Sequence, residues 1–118
     1  MDKELKDKLE ANGFDVDVTL QRFMNNEKLY FKFLKKLPAD QNYVSFGEAI
    51  NNGDCEAAFR SGHTLKGVLS NLGVDSVLKV LEPMVEKLRA NNMEGVPEAL
   101  VEFKNEYEKA IMTINGLE

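Results

Sequence analysis

His63, Lys66, Gly67 and Ser70 are spaced to share one side of a helix, and their types suit one reaction, nucleophilic attack on phosphorus. Imidazole offers a neutral nitrogen nucleophile near neutral pH. An ammonium three residues further on can sit beside an anion held on that ring. Glycine in mid-helix costs about 1 kcal/mol relative to alanine. Gly67 therefore calls for a reason, and clearance for a second molecule approaching the imidazole is one. A lone histidine is more often a solvated surface residue or a hydrogen-bonded core residue. What sets His63 apart is its company: residues 57–74 contain no Asp or Glu, in a chain whose net charge is −5.

The element that must carry these residues runs over 53–73. It reads as one amphipathic helix, entered through Asn52-Gly53-Asp54 and stopped by Gly73, which can take the left-handed conformation common at helix C-termini. At roughly 100° per residue with His63 at zero, Leu72, Leu65, Ala58 and Leu69 fall at roughly 180–240° and form the buried face. Glu56, Gly67, Ser70 and Phe59 fall within roughly 40° of the histidine, with Lys66 and Arg60 roughly 60° to either side. His63 is thus expected to point away from the core.

The string His63-Thr64-Leu65-Lys66-Gly67, followed by Ser70-Asn71-Leu72-Gly73, resembles the signature of histidine-containing phosphotransfer (HPt) domains. That family reads small residue, His, any, Leu, Lys, Gly, then a short gap and a Leu-Gly pair. Gly62 stands where alanine is commoner. The resemblance spans about residues 13–115.

Composition bounds the rest. At 118 residues, with 43% apolar and 30% charged content, the chain reads as one globular domain over 1–118. Its apolar runs are too short for a membrane span or a signal-peptide core. The single cysteine, Cys55, fits a reducing compartment and a small residue at the core boundary. The acidic balance argues against a nucleic-acid partner. A cytoplasmic protein is expected.

Along the chain, charged residues 2–11 with Leu5 and Leu9 form a short helix stopped at Asn12-Gly13. A second short helix carries Val18, Leu20, Phe23 and Met24. Leu29, Tyr30, Phe33, Leu34 and Leu37 repeat at helical spacing until Pro38, and the pattern resumes with Val44, Phe46, Ala49 and Ile50. Two helical segments in rough line, bent at Pro38, are expected. Asp75 or its neighbours cap the next helix, with Val77, Leu78, Leu81, Val85 and Leu88 as its stripe and a kink expected near Pro83. Val96-Pro97-Glu98 opens the last helix, whose stripe of Leu100, Phe103, Tyr107, Ala110, Ile111 and Ile114 ends at Asn115-Gly116. No period-two runs mark strands. The reading is all-α: an antiparallel up-down-up-down four-helix bundle with short additional N-terminal helices.

A chain of this size has no room for a kinase catalytic domain beside the bundle, and it has no Gly-rich nucleotide loop. The resemblance implies that His63 is the phosphoacceptor, taking its group from a receiver-domain aspartate or a kinase and passing it to another receiver aspartate. Lys66 would then offset phosphoryl charge and Gly67 would leave space for the donor. Implied partners are response-regulator receiver domains and a sensor or hybrid histidine kinase. No intrinsic cofactor is expected; Mg2+ belongs on the partner receiver's carboxylates. A monomer is the family's default. The polar start at Met1 points to a free-standing protein, with a segment of a larger kinase as the alternative.

Three neighbours are candidate partner contacts, each with a plainer reading beside it. Ser70 either hydrogen-bonds the partner or is a surface serine. Arg60 either steers an acidic site or is an ordinary exposed arginine. Phe59 either docks a partner or is partly buried against a neighbouring helix. The rival to phosphotransfer as a whole is a non-catalytic helical-bundle interaction module, whose binding would be indifferent to His63 and Lys66.

Overall fold

The computed structural model describes residues 1–117, and every regular element in it is helical. Three short helices, α1 (Lys3–Ala11), α2 (Val16–Arg22) and α3 (Glu27–Leu34), precede four longer ones: α4 (Gln41–Asn51), α5 (Cys55–Leu72), α6 (Asp75–Arg89) and α7 (Val96–Asn115). α4 packs on α5, α5 on α6 and α6 on α7, and α7 closes back onto α4, while α2 and α3 lean on α5.

Local chemistry starts most of these helices. The side chains of Asp15, Asn26, Asp40 and Asp54 each accept a hydrogen bond from a first-turn backbone N–H of α2, α3, α4 and α5 respectively. Such caps satisfy donors that have no partner inside the helix. α7 begins after Gly95, which holds a φ of 76°, with Pro97 in its first turn where a missing N–H costs nothing. α6 is different. Val74 occupies its N-cap and makes no side-chain bond, and Asp75 is the first helical residue instead of the cap. The need is met from elsewhere in the chain, because Ser76 N–H donates to the Gly13 carbonyl at 3.1 Å.

That bond is one half of a clamp. Asp15 N–H donates to the Gly73 carbonyl at 2.8 Å, and Phe14 and Val74 form an isolated antiparallel bridge. Residues 13–15 therefore finish α5 and start α6 with the same stretch of backbone. Arg22 adds a third tie, its Nη1 donating to the Ser70 carbonyl at 2.6 Å. The N-terminal helices are thus joined to the end of α5 by hydrogen bonds as well as apolar contact.

The stripes expected from the sequence meet in one core. Ala58, Leu65, Leu69 and Leu72 of α5 bury against Phe46 and Ile50 of α4, Leu81 and Val85 of α6, and Phe103 and Tyr107 of α7. Each fully buried Leu, Ile, Val or Phe contributes about 1.5–3 kcal/mol. Contacts between α5 and α6 run in opposite directions along the two helices: Phe59 meets Arg89, and Gly62 meets Val85. The α4–α7 seam does the same, with Tyr43 stacked on Tyr107 and Phe46 edge-on to Phe103.

Two details differ from expectation. α3 stops at Leu34, and a 3-10 turn over Leu37–Ala39 carries Pro38 before Asp40 caps α4. Backbone N–H groups of Ala39 and Asp40 bond in this turn, which suits a ring that disfavours helix just before it. α6 runs as one helix over Asp75–Arg89 with Pro83 inside it and exposed, as the sequence places it. Val18, Met24, Leu29, Phe33 and Val44, all assigned to apolar stripes, lie at least partly on the surface; α2 instead buries Val16 and Thr19.

Candidate functional site

α5 is the scaffold of the site. Asp54 caps its start through a bond from Ala57 N–H at 3.0 Å, and Gly73 ends it at φ 70°, a left-handed turn that a side chain would strain. Its buried face is Ala58, Gly62, Leu65, Leu69 and Leu72. This fixes the opposite face toward solvent, and His63, Gly67 and Ser70 are all exposed there, with Lys66 half-buried at its edge.

The imidazole is free of polar partners: no hydrogen bond or ion pair among the described residues involves it. Its neighbour is aromatic. The Phe59 ring lies one turn earlier on α5, with ring centroids 5.5 Å apart and planes 22° apart. On the other side, one turn later, Gly67 leaves open space. A β-carbon there would meet nothing within 4 Å. The phosphoacceptor candidate therefore has a wall on its N-terminal side and a gap on its C-terminal side.

The two glycines of α5 are present for opposite reasons. Gly62 lies against Phe46 and Val85, so internal packing accounts for it. Nothing inside the molecule accounts for Gly67.

Charges of both signs lie near the ring. Lys66 makes no ion pair among the described residues, and its side chain is half-buried. Arg60 is engaged, with its Nη1 2.8 Å from Glu56 Oε1 in an exposed pair. Pairs of this kind are worth little and break readily. Glu56 itself sits in the first turn of α5, where a negative charge is favoured by the helix dipole. Ser70 offers its hydroxyl to solvent while its carbonyl accepts from Arg22. The face around His63 is thus open, and Lys66 is a cation there without a carboxylate partner among the described residues.

Phe59 is half-buried and packs on the core, and the Arg89 guanidinium of α6 sits 5.0 Å from its ring centroid. The plainer reading of this residue, partial burial against a neighbouring helix, describes its placement, and part of the ring remains accessible. Arg89 and Arg22 are site neighbours that the sequence did not single out. Counting equal distances back and forward from the Gly73 turn pairs Phe59 with Lys87, in the same last turn of α6 that carries Arg89. Cys55 is half-buried, its Sγ 3.6 Å from the Leu88 carbonyl.

Among the described residues, no group of three or more His, Cys, Asp or Glu side chains is gathered closely enough to hold a metal ion. No helix is long and apolar enough to cross a membrane.

Comparison with known proteins gives one match. The family model described as the Hpt domain matches residues 33–112, from the end of α3 through most of α7, and the match includes Phe59, Arg60, His63, Lys66, Gly67, Ser70 and Arg89 but not Arg22. α1 and α2 lie outside the match. No curated protein and no solved structure matches the chain.

Proposed function

The chain belongs to the Hpt domain family, whose general function is histidine phosphotransfer in phosphorelays, and from that premise we propose that His63 is the phosphoacceptor of a relay intermediate. It takes a phosphoryl group from a receiver-domain aspartate, or a kinase, and passes it to a second receiver aspartate. The observation that carries this reading is the open space at Gly67 beside an exposed, unbonded imidazole. A glycine that costs helix stability and serves no internal packing fits a site kept clear for another molecule.

In the forward step an imidazole nitrogen attacks phosphorus in line. The N–P bond forms as the P–O bond to the aspartate breaks, and the aspartate leaves as a carboxylate. The second transfer reverses these roles. Lys66 offsets the charge on the phosphoryl oxygens, and its lack of an internal partner supports that role. Gly67 admits the donor's loop. Arg60, Ser70 and the accessible part of Phe59 contact the partner. Mg2+ is held by the receiver's carboxylates and by nothing in this chain.

On this reading α4–α7 are the up-down-up-down four-helix bundle and α1–α3 are its N-terminal additions, supported by the ring of helix contacts. The protein works as a monomer in the cytoplasm, between a sensor or hybrid histidine kinase and response-regulator receivers. The lone free Cys55 supports a reducing compartment.

The test is intact-protein mass spectrometry at neutral to alkaline pH after mixing with a panel of phosphorylated receiver domains. One acid-labile phosphate is expected on His63, and none on a folded His63→Gln variant. Normal labelling of that variant would overturn the role of His63. No label from any receiver, with the protein folded, would favour the interaction-module reading.

A further inference from the structure

Three side chains from two helices form a connected aromatic and cationic group beside the phosphoacceptor. His63 stacks on Phe59, and Phe59 carries the guanidinium of Arg89 from α6 at 5.0 Å. Helix side chains lean toward the N-terminus, so the His63 ring falls over the turn that bears Phe59. Phe59 is itself fixed, being half-buried and packed on the core. Arg89 is loosely tied by its Nε to Glu86 Oε2 at 3.4 Å.

An exposed imidazole normally samples several rotamers. Here no polar contact among the described residues restrains it, and the stack is its link to the packed body of the protein. In-line transfer depends on holding the nucleophile in a narrow range of orientations, and losing that alignment costs rate. We infer that Phe59 is a positioning residue for His63, and that Arg89 steadies Phe59 from the neighbouring helix. The wall they build closes the N-terminal side of the imidazole, so the donor approaches from the Gly67 side. This rests on the phosphoacceptor reading of His63 and adds a duty for Phe59 that differs from partner docking.

The experiment separates the two duties with a donor that has no docking surface. Phosphoramidate transfers its phosphoryl group to an imidazole nitrogen with loss of ammonia, and contacts little beyond the ring. Phe59→Leu keeps apolar bulk and removes the stack, while Phe59→Tyr keeps it. Labelling of His63 by phosphoramidate and by a phosphorylated receiver is timed for each, beside Arg89→Ala. NMR of the unphosphorylated proteins reads the His63 ring-proton shifts and the rotamer-sensitive couplings.

In Phe59→Leu the ring-current shifts of His63 should vanish, its rotamers should average, and both labelling rates should fall by a similar factor, about three- to tenfold. Phe59→Tyr should restore all three readouts, and Arg89→Ala should give a smaller version of the Leu defect. A fall in receiver-driven labelling alone, with phosphoramidate labelling and rotamers unchanged, would overturn the inference and leave Phe59 a docking contact. If wild-type His63 takes label from neither donor, the phosphoacceptor reading fails; unaltered rotamers in Phe59→Leu would then refute the positioning claim as well.

Discussion

Gly62 faces the ring of Phe46 so closely that a β-carbon on it would lie 2.7 Å from Phe46 Cε1 and 3.2 Å from Val85 Cγ2. Phe46 is fully buried and sits edge-on to Phe103, with ring centroids 5.2 Å apart. Its ring therefore has little room to yield. This explains why the small residue before the histidine is glycine here, where alanine is commoner in the family signature. Gly62→Ala gains helix propensity of about 1 kcal/mol but overpacks a dense core, at about 1–3 kcal/mol. A net loss of about 1 kcal/mol is expected by urea denaturation. Adding Phe46→Leu should relieve the clash, so the two changes together should cost less than their sum. Simple additivity would show that the contact with Phe46 is not the cause.

The two most buried tyrosines should respond oppositely to loss of their hydroxyls. Tyr30 is fully buried and its hydroxyl has no partner, whereas Tyr107 donates to the Leu37 carbonyl at 3.3 Å. A buried polar group without a partner carries a desolvation penalty, while a bonded one makes a net contribution of about 1 kcal/mol. Tyr30→Phe should therefore raise unfolding stability by about 1 kcal/mol. Tyr107→Phe should lower it by about the same amount and leave the Leu37 carbonyl unsatisfied. Equal destabilisation by both changes would contradict this assignment.

The same residues predict the alkaline limit of the fold. Burial pushes the Tyr30 phenol up to about 12, and it raises Tyr107 as well. Both folded values lie above the ordinary phenol value of about 10. The unfolded chain thus loses these protons first. The stabilising difference is complete below about pH 10 and is lost as pH rises through the folded values. Urea midpoints should fall as pH rises from about 10 towards 12. The fall should be shallower in a Tyr30→Phe/Tyr107→Phe double variant, which removes these two titrations and keeps the lysines. An identical slope in wild type and double variant would assign the decline to other groups.

What the sequence reveals is what local signals control. α5 is legible from end to end because Asp54 and Gly73 mark its termini and its apolar residues keep the helical period. The exposure of His63, and its grouping with Gly67 and Ser70, follows from that period alone. The width of a buried stripe is less legible. Leu29, Phe33 and Val44 fit their stripes by spacing, yet more than a third of each is exposed, because coverage depends on the neighbouring helix. Arg22 is illegible for a related reason: its bond to Ser70 joins residues 48 positions apart. The capping of α6 by Gly13 is of the same kind, since a backbone carbonyl carries no residue-type signature. Gly62 shows the middle case, where the departure from a pattern is visible and its cause, Phe46, is not.

Gly67 gives the sharpest separation of stability from function. A β-carbon there meets nothing within 4 Å, so Gly67→Ala should gain helix propensity without a clash and raise stability by about 0.5–1 kcal/mol. In the same helix, Gly62→Ala should do the reverse. Gly67→Leu should also fold, because its side chain projects into solvent, but it would fill the space next to His63. Receiver-driven transfer should then drop by at least about tenfold, the equivalent of about 1.4 kcal/mol of barrier. The expected signature is a protein that melts at or above the wild-type temperature and takes up phosphate slowly. Wild-type transfer rates in Gly67→Leu would remove clearance as the reason for the glycine. Loss of transfer together with loss of folding would place Gly67 in the internal packing, against the open space seen at that position.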